Sequence, residues 1–421
     1  MKGHDRFQFA ESLGMKKLLL SAVMFAMVSS PGTFSQMNPW KRILSAQQLV
    51  AMDIAPSGEI YAVSFSDTVW RSDDNAENWV ALSFPVSEIT AVHATSLGTV
   101  YVGTWGHGVY RSMNNGNSWT QSGSSTLKLN RISSNSNGDV FITTFGDSAL
   151  YGSTDNGTTW TPKISGMQFD GYPLWVDAIF IDSVGHVYVS GIYRSTDNGE
   201  HWDWIGITPG KKYLAHTLLT TSAGHIFAGG QDGAFRTTDN GLSWSAADFG
   251  TPYGSVRSLV VNSRGYLFRG MFGGVYFSDD GGGNWYYYSS GLTNLEVFDL
   301  AVDSRGVLYA ATSGGLFRTS SSTVSVNYDE LTLPRTVSLS QNYPNPFNPT
   351  TTIRFEIPNL EFVTLKVFDV LGREVATLAD EVLTPGSYER VFDGNGLPSG
   401  IYFYRLGSSE VAQMKKMLLV K

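Results

Sequence analysis

The chain has 421 residues, a formal net charge of −8 and 45 glycines, and only 16% of its residues are charged. The negative balance argues against a nucleic-acid partner, which would favour a basic face. The sequence contains no cysteine, which excludes disulfides, thiol catalysis and cysteine-ligated metals. Abundant glycine and aromatic residues favour short strands and turns over helices.

Residues 1–35 have the pattern of a secretory signal peptide. Met15 begins the string MKKLLLSAVMFAMVSS, in which two lysines precede an apolar run from Leu18 to Val28. This run is shorter than the roughly 20 residues that span a bilayer, and small residues suited to cleavage follow near Ser35. We therefore expect an exported protein, with Met15 as a second candidate for its start. The alternative is a buried N-terminal helix.

A repeat of about 40 residues fills the middle of the chain. A glycine, two further residues and an aromatic residue recur seven times, from GEIY (58–61) to GVLY (306–309). Each unit predicts four short strands joined by glycine-bearing turns, which is typical of a β-propeller blade. Tryptophans close six of the units, at intervals of 40, 41, 42, 42 and 41 residues: Trp79, Trp119, Trp160, Trp202, Trp244 and Trp285.

The seventh unit ends without a fourth strand. Trp40, in the string NPWKRIL, lies 39 residues before Trp79 and is therefore in step with the series. We predict an all-β fold with a seven-bladed propeller over residues 36–324, in which an N-terminal strand completes the last blade. Such a strand closes the ring and removes open sheet edges.

The string that ends each unit, Ser-x-Asp-x-Gly-x-x-Trp, resembles the Asp-box, or BNR repeat, of sialidase-like propellers. Its carboxylate can accept backbone N–H groups, its glycine supplies a positive φ, and its tryptophan can pack between blades. Because the string recurs with the period of the fold, we interpret it as structural. The full matches are Ser153, Asp155, Gly157 and Trp160; Ser195, Asp197, Gly199 and Trp202; and Ser278, Asp280, Gly282 and Trp285.

After a linker at residues 325–337, short alternating strings over residues 338–421 predict a small antiparallel, Ig-like β-sandwich. The motifs NYPNPFNP, VFDVLGREVATL, LPSGIYFYRL and KKMLLVK resemble the type A C-terminal sorting domain of the type IX secretion system of Bacteroidetes-like bacteria. The resemblance implies that residues 338–421 bind the type IX machinery, and that the protein is secreted or anchored at the outer-membrane surface. An ordinary fibronectin-like module is the alternative.

Candidate binding residues lie on the predicted rim opposite the repeated turns. The position near each first-strand start is polar in units two to six, which predicts a ring of unlike groups at the pore mouth; rim salt bridges are the alternative. The insertion MQFDGYPLW predicts a cleft. Aromatic platforms with few carboxylates suit sugar rings or peptides. The candidates are Trp105, His107, Arg131, Phe145, Tyr172, Trp175, Asp177, Tyr213, His216, Arg257, Phe272 and Asp299.

We expect a non-catalytic module that binds a glycan or a surface protein, similar to propellers of the photosystem II assembly factor type. The alternative is a glycoside hydrolase with Asp177 and Asp299, or Asp170 and Asp232, as paired carboxylates. Sialidase activity is disfavoured because the Phe/Tyr-Arg-Ile-Pro motif is absent. A structural adhesion protein is a third class. No cofactor, metal site or nucleic-acid partner is expected. We expect contact with a membrane only through surface anchoring.

Overall fold

The structure is a computed structural model. It describes residues 40–46, 48–145, 150–167, 176–190, 192–206, 215–247, 254–324, 336–358, 361–383, 386–408 and 412–421. The expected signal peptide lies outside these residues. Every regular element of the described chain is a β-strand, and no described helix is long and apolar enough to cross a membrane.

Six four-stranded sheets follow one another in chain order, each with its strands in sequence order. Sheet 1 holds β2 (Leu49–Ile54), β3 (Ile60–Ser64), β4 (Val69–Ser72) and β5 (Val80–Leu82); sheet 2 holds β6 (Ile89–Ala94), β7 (Val100–Thr104), β8 (Val109–Ser112) and β9 (Thr120–Ser122); sheet 3 holds β10 (Leu129–Ser134), β11 (Val140–Thr144), β12 (Leu150–Ser153) and β13 (Thr161–Pro162). Sheet 4 holds β14 (Ile179–Ile181), β15 (Val187–Val189), β16 (Tyr193–Ser195) and β17 (Asp203–Trp204); sheet 5 holds β18 (Ala215–Thr220), β19 (Ile226–Gly230), β20 (Gly233–Thr237) and β21 (Ser245–Ala246); sheet 6 holds β22 (Ser258–Val261), β23 (Leu267–Met271), β24 (Gly274–Ser278) and β25 (Tyr286–Tyr287).

Sheet 7 joins the two ends of this region. It holds β26 (Val297–Val302), β27 (Leu308–Thr312) and β28 (Gly315–Thr319), and its outer strand is β1 (Trp40–Leu44). Strands β1 and β28 are antiparallel, with Trp40 opposite Thr319. The Trp40 indole Nε1 donates to the Tyr288 carbonyl at 2.6 Å. The ring of Trp40 is buried in a core cluster shared by sheets 6 and 7.

The first strands of the sheets contact one another in succession. Strand β2 contacts β6, β6 contacts β10, and the series continues through β14, β18, β22 and β26, which contacts β2 again. The second strands are buried along their whole length, as in VYVGT of β7 and IFAGG of β19. Both faces of each such strand are covered, so these strands are apolar without the alternation typical of a half-exposed strand.

The repeated turn has equivalent hydrogen bonds in sheets 1 to 6, with Ala76 in place of the glycine in sheet 1 and Asn114 in place of the aspartate in sheet 2, and sheet 3 illustrates them. The Ser153 hydroxyl donates to Asp155 Oδ1 at 2.8 Å, and Gly157 N donates to Ser153 Oγ at 2.8 Å. The Thr159 backbone N–H donates to Asp155 Oδ1 at 2.8 Å, and this bond, with the hydroxyls of Thr159 and Ser153, lowers the pKa of Asp155 to about 2. The same serine-to-aspartate and glycine-to-serine bonds are formed by Ser195, Asp197 and Gly199, and by Ser278, Asp280 and Gly282.

From sheet 3 to sheet 6, the tryptophan of the turn donates a hydrogen bond to the preceding sheet, whereas the indole N–H groups of Trp79 and Trp119 are buried without a partner. The indole Nε1 of Trp160 donates to Ser122 Oγ at 3.1 Å, that of Trp202 to the Lys163 carbonyl at 3.0 Å, and that of Trp285 to the Ala247 carbonyl at 2.8 Å. Trp202 and Trp285 are buried, with 7% and 1% of their surface exposed. The repeated turns therefore act as connectors between sheets.

The C-terminal region has two antiparallel sheets. One holds β29 (Ser338–Leu339), β30 (Thr350–Ile357) and β33 (Gly386–Asp393) in that order. The other has the order β32 (Glu374–Leu383), β31 (Glu361–Phe368), β34 (Gly400–Gly407) and β35 (Ala412–Leu419). Val363, Leu365 and Val367 on β31 are fully buried in the core of this region, as their alternation in the sequence indicates.

Candidate functional site

Two candidate polar residues, Asp177 and His216, meet Asn130 where the first strands of sheets 3, 4 and 5 begin. Asn130 Nδ2 donates to Asp177 Oδ1 at 2.8 Å and lies 3.3 Å from the Val176 carbonyl. The other carboxylate oxygen of Asp177 lies 3.4 Å from Nδ1 of His216. The side chains of His216 and Asp177 are 22% and 19% exposed. Asp177 is thus held by protein groups at both oxygens.

Asp299 joins sheets 6, 7 and 1 at the same end of the strands. Its Oδ1 accepts the Ser258 hydroxyl at 3.0 Å, and its Oδ2 accepts the Met52 backbone N–H at 3.2 Å. Burial raises the pKa of Asp299 above the usual carboxyl value, while the positive charge of Arg131 and these hydrogen bonds oppose the rise. A carboxyl group with a raised pKa can act as a general acid.

Arg257 packs against two phenylalanine rings, Phe272 of sheet 6 and Phe298 of sheet 7. Its guanidinium carbon is 3.9 Å from the centroid of Phe272 and 5.1 Å from that of Phe298. Burial lowers the pKa of Arg257; Glu296 opposes this, and the like charge of Arg131 adds to it. Phe272 remains 52% exposed. A stacked guanidinium and an open aromatic ring form a surface on which a ligand ring or chain can lie.

A second aromatic group lies between sheets 2 and 3. The ring centroids of Trp105 and Phe145 are 4.7 Å apart at an interplanar angle of 59°, and Lys128 Nζ lies 5.2 Å from the centroid of Trp105. The Phe145 N–H donates to the Lys128 carbonyl at 2.9 Å, which joins the residue after β11 to the residue before β10. His107 is exposed, and its N–H donates to Thr104 Oγ1 at 3.1 Å.

Three candidates, Tyr172, Trp175 and Tyr213, lie outside the described residues. The insertion that contains two of them lies there too, so the cleft stays a sequence prediction. Eight of the nine described candidates fall into three groups: Asp177 with His216; Asp299 with Arg131, Arg257 and Phe272; and Trp105 with Phe145. His107 belongs to none of them.

Sequence reasoning missed several residues that the structure adds. Lys128, Glu296 and Phe298 belong to the groups above, and each adjoins a candidate in sequence or space. A further group consists of Asp53, His93 and Ser134. His93 Nδ1 is 2.8 Å from Asp53 Oδ2, and His93 Nε2 is 2.8 Å from Ser134 Oγ. No Ser–His–Asp arrangement was readable in the sequence, because each residue lies in a different repeat. Grouped His, Asp and Glu side chains that could hold a metal do not occur in the part of the chain described.

Residues 341–421 match the family described as the secretion system C-terminal sorting domain, Por_Secre_tail. The sorting domain predicted from the motifs is therefore confirmed. It indicates export by type IX secretion, interaction with that machinery, and a secreted or cell-surface location in Bacteroidetes-type bacteria. No curated protein sequence matches the chain.

The chain is similar to several solved β-propellers. PorZ, an essential bacterial surface component of the type-IX secretion system of Porphyromonas gingivalis, shares 15% identity at a TM-score of 0.52, over 89% of this chain and 60% of that one. The GH74 xyloglucanase from Xanthomonas campestris shares 16% at 0.55, over 82% and 63%. YCF48 bound to D1 peptide shares 13% at 0.55, over 68% and 97%. This chain thus spans less than two thirds of PorZ and of the xyloglucanase, and the likeness shows the β-propeller fold.

Proposed function

We propose that the propeller region binds a glycan or a protein ligand at the cell surface, without cleaving it, through the end where the first strands begin. The observation that carries the proposal is the contrast between Asp177 and Phe272. Both oxygens of Asp177 face protein groups, as do those of Asp299. Phe272, stacked on Arg257, presents an open aromatic surface instead.

The proposal includes the finer architecture. Sheets 1 to 7 are the seven blades of one closed propeller, and β1 is the strand that completes the last blade. The contact of β26 with β2 supports closure, as does the 2.6 Å bond from Arg318 Nη1 to the Asn75 carbonyl of sheet 1. The shared hydrogen bonds of the repeated turns support their interpretation as Asp-boxes.

Two neighbours support a binding role. PorZ is a surface component of a type-IX secretion system, and this chain carries a sorting tail for that system. YCF48 is bound to a peptide, which is an example of this fold holding a chain-like ligand. Rim loops on a rigid scaffold suit such binding.

The test uses residues 36–421, immobilised and exposed to a panel of polysaccharides and to outer-membrane extracts. We expect retention without released products. Phe272→Ala should weaken retention about tenfold, as expected for an aromatic anchor. Phe362→Ala is the matched control, because Phe362 is 54% exposed but lies on β31 of the tail. Equal binding by wild type and Phe272→Ala would contradict the proposed surface.

A glycoside hydrolase is the second candidate. The raised pKa of Asp299 favours it, and the chain is similar in fold to a xyloglucanase. If this reading is right, wild type releases sugar products, and Asp299→Asn and Asp177→Asn each abolish release while ligand retention persists. Retention with no product from any variant favours the binding role.

A further inference from the structure

Asp53, His93 and Ser134 form a series of side-chain contacts that joins sheets 1, 2 and 3. The residues lie near the ends of the first strands β2, β6 and β10, whereas the proposed ligand surface lies at the strand starts. Asp53 and His93 occupy the same position of successive repeats, five residues before Gly58 and Gly98. The contacts of β2 with β6 and of β6 with β10 bring them together.

The hydrogen bonds fix the orientation of the imidazole. Asp53 Oδ2 accepts the Ala94 backbone N–H at 2.9 Å and lies 2.8 Å from His93 Nδ1, so the carboxylate is held against sheet 2. An anionic acceptor at Nδ1 favours the tautomer with its proton there. The lone pair of Nε2 then faces Ser134 Oγ at 2.8 Å, and the serine hydroxyl donates to it.

The three side chains are partly exposed to solvent. The side chains of Asp53 and His93 are 28% and 19% exposed, and Ser134 is partly exposed. A second Asp–His pair, Asp182 and His186, differs from this one. Its Oδ2 to Nδ1 distance is longer, at 3.1 Å, and the same carboxylate oxygen also accepts the Tyr188 hydroxyl. An orienting acid, a base and a hydroxyl in sequence are the parts of a nucleophilic serine site, which is recognised by geometry and roles.

We propose that Ser134 is the nucleophile of an acyl-transfer site, with His93 as general base and Asp53 as the positioning residue, acting on small esters. The Ser134 oxygen bonds to the ester carbonyl carbon as its proton moves to His93 Nε2. The bond from that carbon to the alcohol oxygen then breaks, and His93 returns the proton to the departing alcohol. Water then attacks the acyl carbon as His93 takes one of its protons. The bond from that carbon to Ser134 Oγ breaks, His93 gives the proton to Ser134 Oγ, and a carboxylic acid leaves. This activity is separate from ligand binding at the strand starts.

The experiment treats residues 36–421 with a fluorophosphonate probe and locates the label by peptide mass spectrometry. We expect label on Ser134 and none on Ser134→Ala. His93→Gln should slow labelling and p-nitrophenyl acetate hydrolysis by about 10²- to 10⁴-fold, the range of a general base. Asp53→Asn should also slow labelling and hydrolysis, but by a smaller factor than His93→Gln.

Two matched controls isolate the chemistry. Ser133→Ala removes the adjacent serine, and His186→Gln breaks the other Asp–His pair; both should label at the wild-type rate. Thermal unfolding of each variant separates loss of chemistry from loss of fold. Absence of label on Ser134 in folded wild type overturns the proposal, as does a labelling rate unchanged by His93→Gln. Neither result affects the ligand-binding test, which reads a different surface.

Discussion

The two ends of the sheets differ in how their residues vary. At the repeated turns, serine, aspartate and glycine make the same bonds in sheet after sheet, as between Ser153 and Asp155 and between Ser195 and Asp197. At the strand starts, the equivalent position is Asn130, then Asp177, then His216, and each residue has different partners. Uniform residues maintain the repeat, whereas unlike residues provide the chemical variety that a binding surface needs.

The largest expected effect is at the repeated turns. Trp285→Ala removes an indole that is 1% exposed, stacks 4.5 Å from the Arg269 guanidinium carbon and donates to Ala247. The free energy of unfolding should fall by about 3–5 kcal/mol, as for other buried aromatic truncations. Urea unfolding measures it. Trp204→Ala is the control, since Trp204 is 44% exposed. Equal losses for both variants would show that the turn indole has no special role.

A glycine of the repeated turn should give the next largest effect. Gly157 has a φ of +75°, and a Cβ there would lie 2.9 Å from Ser122 Oγ and from a Tyr101 ring carbon. Gly157→Ala should cost about 2–4 kcal/mol, because the left-handed conformation and the close contacts both oppose a side chain. Gly185→Ala separates the two causes: its φ is +90° but no atom lies within 4 Å, so about 1–2 kcal/mol is expected. Chemical denaturation of both variants gives the difference.

Arg318→Ala tests the contact between sheets 7 and 1. The guanidinium of Arg318 donates to the Asn75 carbonyl and pairs with Glu77, each at 2.6 Å. Its loss should cost about 1 kcal/mol, because the pair is partly exposed. Arg71→Ala breaks the corresponding bond to Asn115 between sheets 1 and 2, and thermal unfolding should show a similar cost. If Arg71→Ala lowers the stability but Arg318→Ala leaves it unchanged, the result would argue against a closed ring.

The smallest effect concerns one carboxylate of the turns. The pKa of Asp155 is lowered to about 2, so its ionised form stabilises the folded state above about pH 4, and this stabilisation is lost as the pH falls through 2. Asp155→Asn should be less stable than wild type at pH 7, and its melting temperature should fall less steeply between pH 4 and pH 2. Asp232→Asn, at an exposed residue outside the repeated turns, should follow the wild-type slope.

The sequence allowed prediction of what recurs. The spacing of Trp160, Trp202 and Trp244 predicted four-stranded units, because each unit repeats the same local solution for turn and core. The sorting tail was predictable because its motifs are contiguous. The partnership of Asp53, His93 and Ser134 was not, since each repeat contributes one residue and only the arrangement of the sheets brings them together. Arg257 and Phe272 belong to the same sheet, but they are 15 residues apart in the sequence, and Phe298 comes from the next sheet; their contact appears only once the strands are paired.

The pairing of β1 with β28 has a consequence for synthesis of the chain. The Trp40–Leu44 segment is made before every other described strand, yet its partner Gly315–Thr319 is made only after sheets 1 to 6. A polypeptide that terminates early therefore presents a bare strand edge, which favours aggregation. Completion of sheet 7 thus requires synthesis at least as far as Thr319, because a product that ends before β28 leaves β1 unpaired and one edge of β27 open.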